Sequence, residues 1–124
     1  MRFALTTSLV FLALFVVPII SYGIFSRFTG LQPPGDDPTA FLAGVAVSKI
    51  GTAIAFTGIW LVGREALGPQ WALYVLLWWG MFVLGEVGQA LGPDYSWQEA
   101  IAGILSETIY LPLSGLIVAR LLPV

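Results

Sequence analysis

The stretch FALTTSLVFLALFVVPIISYGIF, Phe3–Phe25, carries no charged residue along its whole length. About 20 predominantly apolar residues in helical form cross the hydrocarbon core of a bilayer, so this stretch is long enough to do so. Three more stretches of the same kind follow, Ala40–Gly63, Gln70–Leu91 and Gln98–Leu121. Together they occupy most of the chain and leave no room for a separate soluble domain. The expected fold is therefore all-α: a polytopic membrane protein whose single transmembrane domain, residues 1–124, is a four-transmembrane-helix bundle. No segment alternates apolar and polar residues with period two, which argues against a closed β-barrel.

Composition agrees. Hydrophobic residues make up 58% of the chain and charged residues 10%, against roughly 25% charged in an ordinary soluble domain. Five basic and seven acidic side chains cannot cover the surface of a soluble globule of 124 residues. The same numbers exclude a disordered chain, which needs low hydrophobicity and high charge. With no Cys and no His, thiolate zinc, iron–sulfur, haem, copper and Ser-His-Asp chemistry are excluded, and no metal or cofactor is expected. A net charge of −2 argues against a nucleic-acid partner.

The punctuation between the stretches fits helix ends. Asp37-Pro38 offers an N-cap followed by a proline in the first turn, and Ser96-Trp97-Gln98-Glu99 reads as a capping box. Gly68-Pro69 and Gly92-Pro93 are stop signals. The repeated Ala-Leu-Gly-Pro at 66–69 and 90–93 reads as two similar helix stops, since the flanking helices do not match. The first stretch has some marks of a signal peptide: Arg2, then small residues at Ser21 and Gly23. Its apolar run exceeds the roughly 7–15 residues of a signal core, so it is read as a transmembrane helix, kinked at Pro18.

Orientation follows from charge. With four crossings, Arg2, Arg64 and Arg120 share one side, while Arg27 stands on the other with Asp36, Asp37, Asp94 and Glu99. The positive-inside rule then places both termini in the cytoplasm. Tyr22, Phe25, Phe28, Tyr95 and Trp97 would form an aromatic belt on the outer side, with Trp60, Trp71 and Tyr74 on the inner one.

Three charges do not fit loops or helix ends: Lys49, Glu86 and Glu107. An ionisable side chain near the bilayer centre costs at least about 2.5–3.5 kcal/mol and is a functional-site hypothesis by default. At about 1.5 Å per residue, Lys49 and Glu107 lie roughly 14 Å below the outer boundary and Glu86 about 7 Å. Three helices thus place a charge in the same half of the membrane, and the economical solution is convergence inside the bundle. Two carboxylates about 4 Å apart repel by about 4 kcal/mol at an effective dielectric of 20. One of them is then expected to keep its proton, Glu107 being the deeper, while Lys49 pairs with the other.

Their neighbours at helical spacing extend the seam. Gly103, Glu107, Tyr110 and Ser114 share one face of the fourth helix. Trp79, Phe82, Glu86 and Gln89 share one face of the third, and Lys49 with Thr52 one face of the second. The expected catalytic set is Glu107, Glu86 and Lys49. Tyr110, Trp79, Phe82, Gln89 and Thr52 are the expected substrate-binding set. Beside Lys49 runs a stripe of Gly44, Ser48, Gly51, Ala55 and Gly58, the spacing of closely packed membrane helices. It is an expected contact for a second copy or for a membrane-complex partner.

Taken together, Lys49 and Gly51 on the second helix, Gly85-Glu86 on the third, Asp94 in the turn and Glu107 on the fourth resemble a family of small bacterial and fungal four-helix membrane proteins of unknown function. The likeness covers most of the last three helices and implies a four-helix count, without an activity. A basic residue is expected in that family where Glu86 stands. The chain does not look like the small multidrug exporters, which carry a glutamate in the first helix, nor does it have the glycine and arginine signature of fluoride channels.

Three function classes remain. The first is binding or transforming an apolar small molecule (isoprenoid, sterol, quinone or lipid) by carboxyl acid–base chemistry. The others are a structural or accessory subunit of a membrane complex and an oligomeric proton-coupled transporter.

Overall fold

The structure, a computed structural model, describes residues 1–31 and 37–123. Its elements are α1 (Arg2–Thr29), α2 (Pro38–Leu67), a single 3-10 turn at Gly68–Gln70, α3 (Trp71–Ala90) and α4 (Trp97–Leu121), with no strand among the described residues. Asp36, placed above with the outer acidic residues, lies outside the described residues. Three helical stretches are long and apolar enough to cross a membrane: Arg2–Thr29, Thr39–Ala90 and Trp97–Leu121. The middle one contains α2 and α3, joined through the 3-10 turn.

Local chemistry sets the ends. The Asp37 carboxylate accepts from the backbone N–H of Thr39 at 3.0 Å and of Ala40 at 3.2 Å, so it caps α2 with Pro38 in the first turn. Ser96 caps α4 by accepting from the Glu99 N–H at 3.1 Å. Gly30 ends α1 at φ 73°, a left-handed conformation, and its N–H reaches the Ser26 carbonyl. The helix stays continuous through Pro18, although a proline there leaves the Leu14 carbonyl without its usual donor. Pro112 repeats the situation in α4.

Side-chain contacts fix the directions. Phe56 packs on Tyr74 and Trp78 with ring centroids 4.9 and 5.3 Å apart. In one straight helix residues 18–22 positions apart would be separated by about 27–33 Å, so the chain reverses between α2 and α3. The Arg2 guanidinium donates to the Leu121 carbonyl and Tyr22 to the Glu99 carbonyl, which makes α1 antiparallel to α4. The Trp60 indole donates to the Leu122 carbonyl while Lys49 meets Tyr110, so α2 runs parallel to α4.

The helix α4 lies between α1 and α3 and contributes the largest share of the buried residues, from Ala100 to Val118. Its Gly115 is a point of close approach, because a Cβ there would collide with the Val75 side chain. Around it Phe56, Trp60, Tyr74, Leu111 and Val118 form a dense core. Trp60 and Tyr74 belong to that core, at 1% and 3% exposure, and not to an interfacial belt. Their N–H and O–H find the carbonyls of Leu122 and Phe56, so neither group needs water. The outward faces are apolar along every helix, as at Leu5, Ile54, Leu84 and Leu105. Lipid solvates such a surface, whereas water would drive it to aggregate.

Candidate functional site

Opposite the dense core, toward the Tyr95 end, the helices enclose a cavity of about 470 Å³. Phe15, Pro18 and Tyr22 of α1 line one wall, and Phe41, Val45 and Lys49 of α2 another. From α4 come Gly103, Ser106, Glu107 and Tyr110, while Glu86 enters from α3 and Tyr95 from the loop. The volume lies in the range of small-molecule sites, about 300–1,000 Å³, which pair apolar walls with a few convergent polar groups. Lys49, Glu86 and Glu107, from three helices, all face this one cavity.

Lys49 sits at the top of a ladder of rings. Trp60, Tyr74, Phe56, Trp78, Phe82 and Tyr110 follow one another at centroid distances of 4.9–6.3 Å. The ammonium lies 4.7 Å from the Tyr110 ring centroid and 5.8 Å from that of Phe82, where the negative ring faces attract it. It donates a hydrogen bond to the Tyr110 hydroxyl at 3.1 Å. That bond goes to a phenol instead of the carboxylate expected as its partner.

Glu86 reaches α4 across the α3–α4 seam. Its carboxylate rests on the backbone at Gly103, and a Cβ there would overlap it. The Tyr95 hydroxyl donates to Glu86 Oε2 at 2.6 Å. Burial, followed by the bond to Glu86, pushes the Tyr95 phenol well above its ordinary range, so Tyr95 keeps its proton and acts as a donor. Tyr22, 3.5 Å from Tyr95, gives its own proton to the Glu99 carbonyl. The two tyrosines thus form a polar rim between Glu86 and the helix ends.

Glu107 lies one turn from Gly103 and is 4% exposed. Among the described residues its Oε1 is buried without a hydrogen-bond partner, an arrangement that is costly for a carboxyl group of either charge. Gly103, Glu107, Tyr110 and Ser114 are all buried, as their common spacing suggests.

Several residues singled out in the sequence stand elsewhere. Trp79 donates to the Thr108 hydroxyl at 3.0 Å on the exposed side of the α3–α4 pair. Gln89 is exposed, and Thr52 returns its hydroxyl to the Ser48 carbonyl of its own helix. Phe82 meets the site from beneath, through Lys49 and Tyr110. Tyr22 and Tyr95 turn into the cavity, although as aromatic residues near helix ends they read as membrane-interface anchors. The stripe Gly44, Ser48, Gly51, Ala55, Gly58 faces outward along most of its length, and its glycines have nothing within 4 Å of a would-be Cβ.

In chemical terms the site holds three acidic residues (Glu86, Glu99 and Glu107), one ammonium and three phenols at the edge of an apolar chamber. It can accept protons, donate them and hold a polar head while burying an apolar body. No family model matches the sequence, and no curated protein or solved structure is significantly similar to it.

Proposed function

We propose that this chain crosses the membrane four times, with both termini in the cytoplasm, and binds an apolar small molecule of isoprenoid, sterol, quinone or lipid type. The single observation that carries the reading is the cavity: Glu107, Glu86 and Lys49 share a chamber of about 470 Å³ whose remaining walls are largely apolar. The antiparallel run of α1, α2, α3 and α4 supports four crossings, and Arg2, Arg64 and Arg120 against Arg27 support the orientation.

In this site Glu107 serves as the protonated acid, Glu86 as base or counter-charge, and Lys49 as an electrostatic anchor held on Tyr110. Any transformation of the ligand there is a proton transfer through the carboxyl pair. A second reading rests on the outward small-residue stripe of α2: a second copy or a membrane-complex subunit packs along Gly44, Gly51 and Gly58.

Native mass spectrometry of gently extracted protein tests both. A bound small molecule that is lost when Val45→Trp fills the cavity supports the binding reading. Foreign subunits with no cavity-dependent ligand would replace it with the second. If Glu86→Gln and Glu107→Gln leave the bound molecule unchanged, the carboxyl pair has no part in binding.

A further inference from the structure

We infer that the molecule taken up by this cavity carries a protonated amine on an apolar body, and that its ammonium group seats between Glu107 and Glu86. The inference rests on the binding reading above and names the head group. Glu107 Oε1 is the first observation: a carboxyl oxygen on a side chain 4% exposed, lining the cavity and without a partner among the described residues. Glu107, protonated when the site is free of amine, hands its proton to an arriving neutral amine, and the ammonium so formed donates to the carboxylate oxygen. The second is the placement of Lys49. Its ammonium is bonded to the Tyr110 hydroxyl and lies against two rings, so the one resident cation is drawn to the floor of the site.

Charge and donor counts then favour one class of head group. Three acidic residues, Glu86, Glu99 and Glu107, line the cavity with one ammonium, and Glu86 receives a single phenolic hydrogen bond, from Tyr95. A carbonyl or ether head would add an acceptor where acceptors are already in excess. A phosphate or carboxylate head would add negative charge beside two acids. An alcohol brings the hydrogen without the charge. A protonated amine brings both, and a charge-assisted bond is about twice as strong as a neutral one. The walls suit such a group: Tyr22, Tyr110 and Phe41 offer ring faces to a cation, while Ile19, Leu42 and Val45 receive an alkyl body.

The test uses the full chain in nanodiscs of zwitterionic lipid, titrated with N,N-dimethyldodecylamine and, separately, dodecan-1-ol. The two share one alkyl chain and differ in the head. Binding is read by native mass spectrometry and by the shift in melting temperature. Wild type is expected to hold the amine about tenfold more tightly than the alcohol, as a charge-assisted bond in a poorly solvated site requires. In Glu107→Gln, whose amide can neither protonate the amine nor hold its charge, that ratio falls to near one.

Equal affinities on wild type, both abolished by Val45→Trp, would overturn the amine assignment and leave the binding reading standing. Binding of neither probe in a Val45→Trp-sensitive way would overturn both. The wild-type ratio needs no variant. Should Glu107→Gln fail to fold, Glu86→Gln carries the selectivity measurement, and an unchanged ratio there counts against the assignment.

Discussion

The two ends of the molecule are made by the same helices and solve opposite problems. At the end where α2 turns into α3, Trp60, Tyr74 and Phe56 pack ring on ring, Val75 lies against Gly115, and the polar atoms of Trp60 and Tyr74 are consumed by backbone carbonyls. At the Tyr95 end the helices stand apart around a chamber, and carboxyl groups take the place of rings. The difference teaches where stability and chemistry reside. Lipid is as apolar as leucine, so tight packing holds membrane helices together. Walls that stand apart around a cavity contribute little to that packing. The dense end can therefore act as the scaffold that tolerates the open one.

This division predicts a graded series of effects. The largest is Trp60→Ala, which empties a fully buried indole and frees the Leu122 carbonyl; thermal unfolding in mild detergent should show a loss of about 3 kcal/mol. Next comes Gly115→Ala, whose Cβ meets the stiff Val75 side chain, with an expected destabilisation of about 1–3 kcal/mol. If both variants melt like wild type, the dense end is not the scaffold. Glu107→Gln should sharpen the contrast by lowering amine binding about tenfold, or about 1.4 kcal/mol, while helicity and melting stay near wild type. Tyr95→Phe removes the donor to Glu86 and should cost about 1 kcal/mol, since the bond is only partly shielded from water. The smallest change in stability belongs to Gly103→Ala. Its Cβ meets the end of the flexible Glu86 side chain, so melting should shift by less than about 0.5 kcal/mol. Ligand binding should still weaken, because Glu86 is displaced. A large stability loss there would erase the distinction between the two glycines.

Lys49, Glu86 and Glu107 could be singled out from sequence because each interrupts an apolar run in which a charge is expensive. Tyr22 and Tyr95 could not. A tyrosine near a helix end suits the membrane interface equally well, and its rotation toward a cavity depends on neighbouring helices. Trp79 shows the reverse. It shares a helical face with Glu86 by spacing, yet its indole finds Thr108 on the adjacent helix and stays outside the chamber. Gly103 was legible as a member of the polar face, while its use as the seat of the Glu86 carboxylate was not, because a missing side chain leaves no signature of what fills its place.

The sequence by itself determined an all-helical chain with stretches able to cross a membrane, the caps at Asp37 and Ser96, and the identity of the three costly charges. Each depends on the length, apolarity or hydrogen bonding of a short segment, and these are properties of the local chain. Tertiary structure alone decided that the three charges open into one cavity, that Lys49 is drawn onto Tyr110 and Phe82, and that Glu107 keeps an oxygen without a partner among the described residues. Those facts depend on how helices rotate and diverge. The ring ladder that begins at Trp60, far from the cavity, ends on Phe82 and Tyr110 beneath Lys49, so the site is joined to packing many residues away.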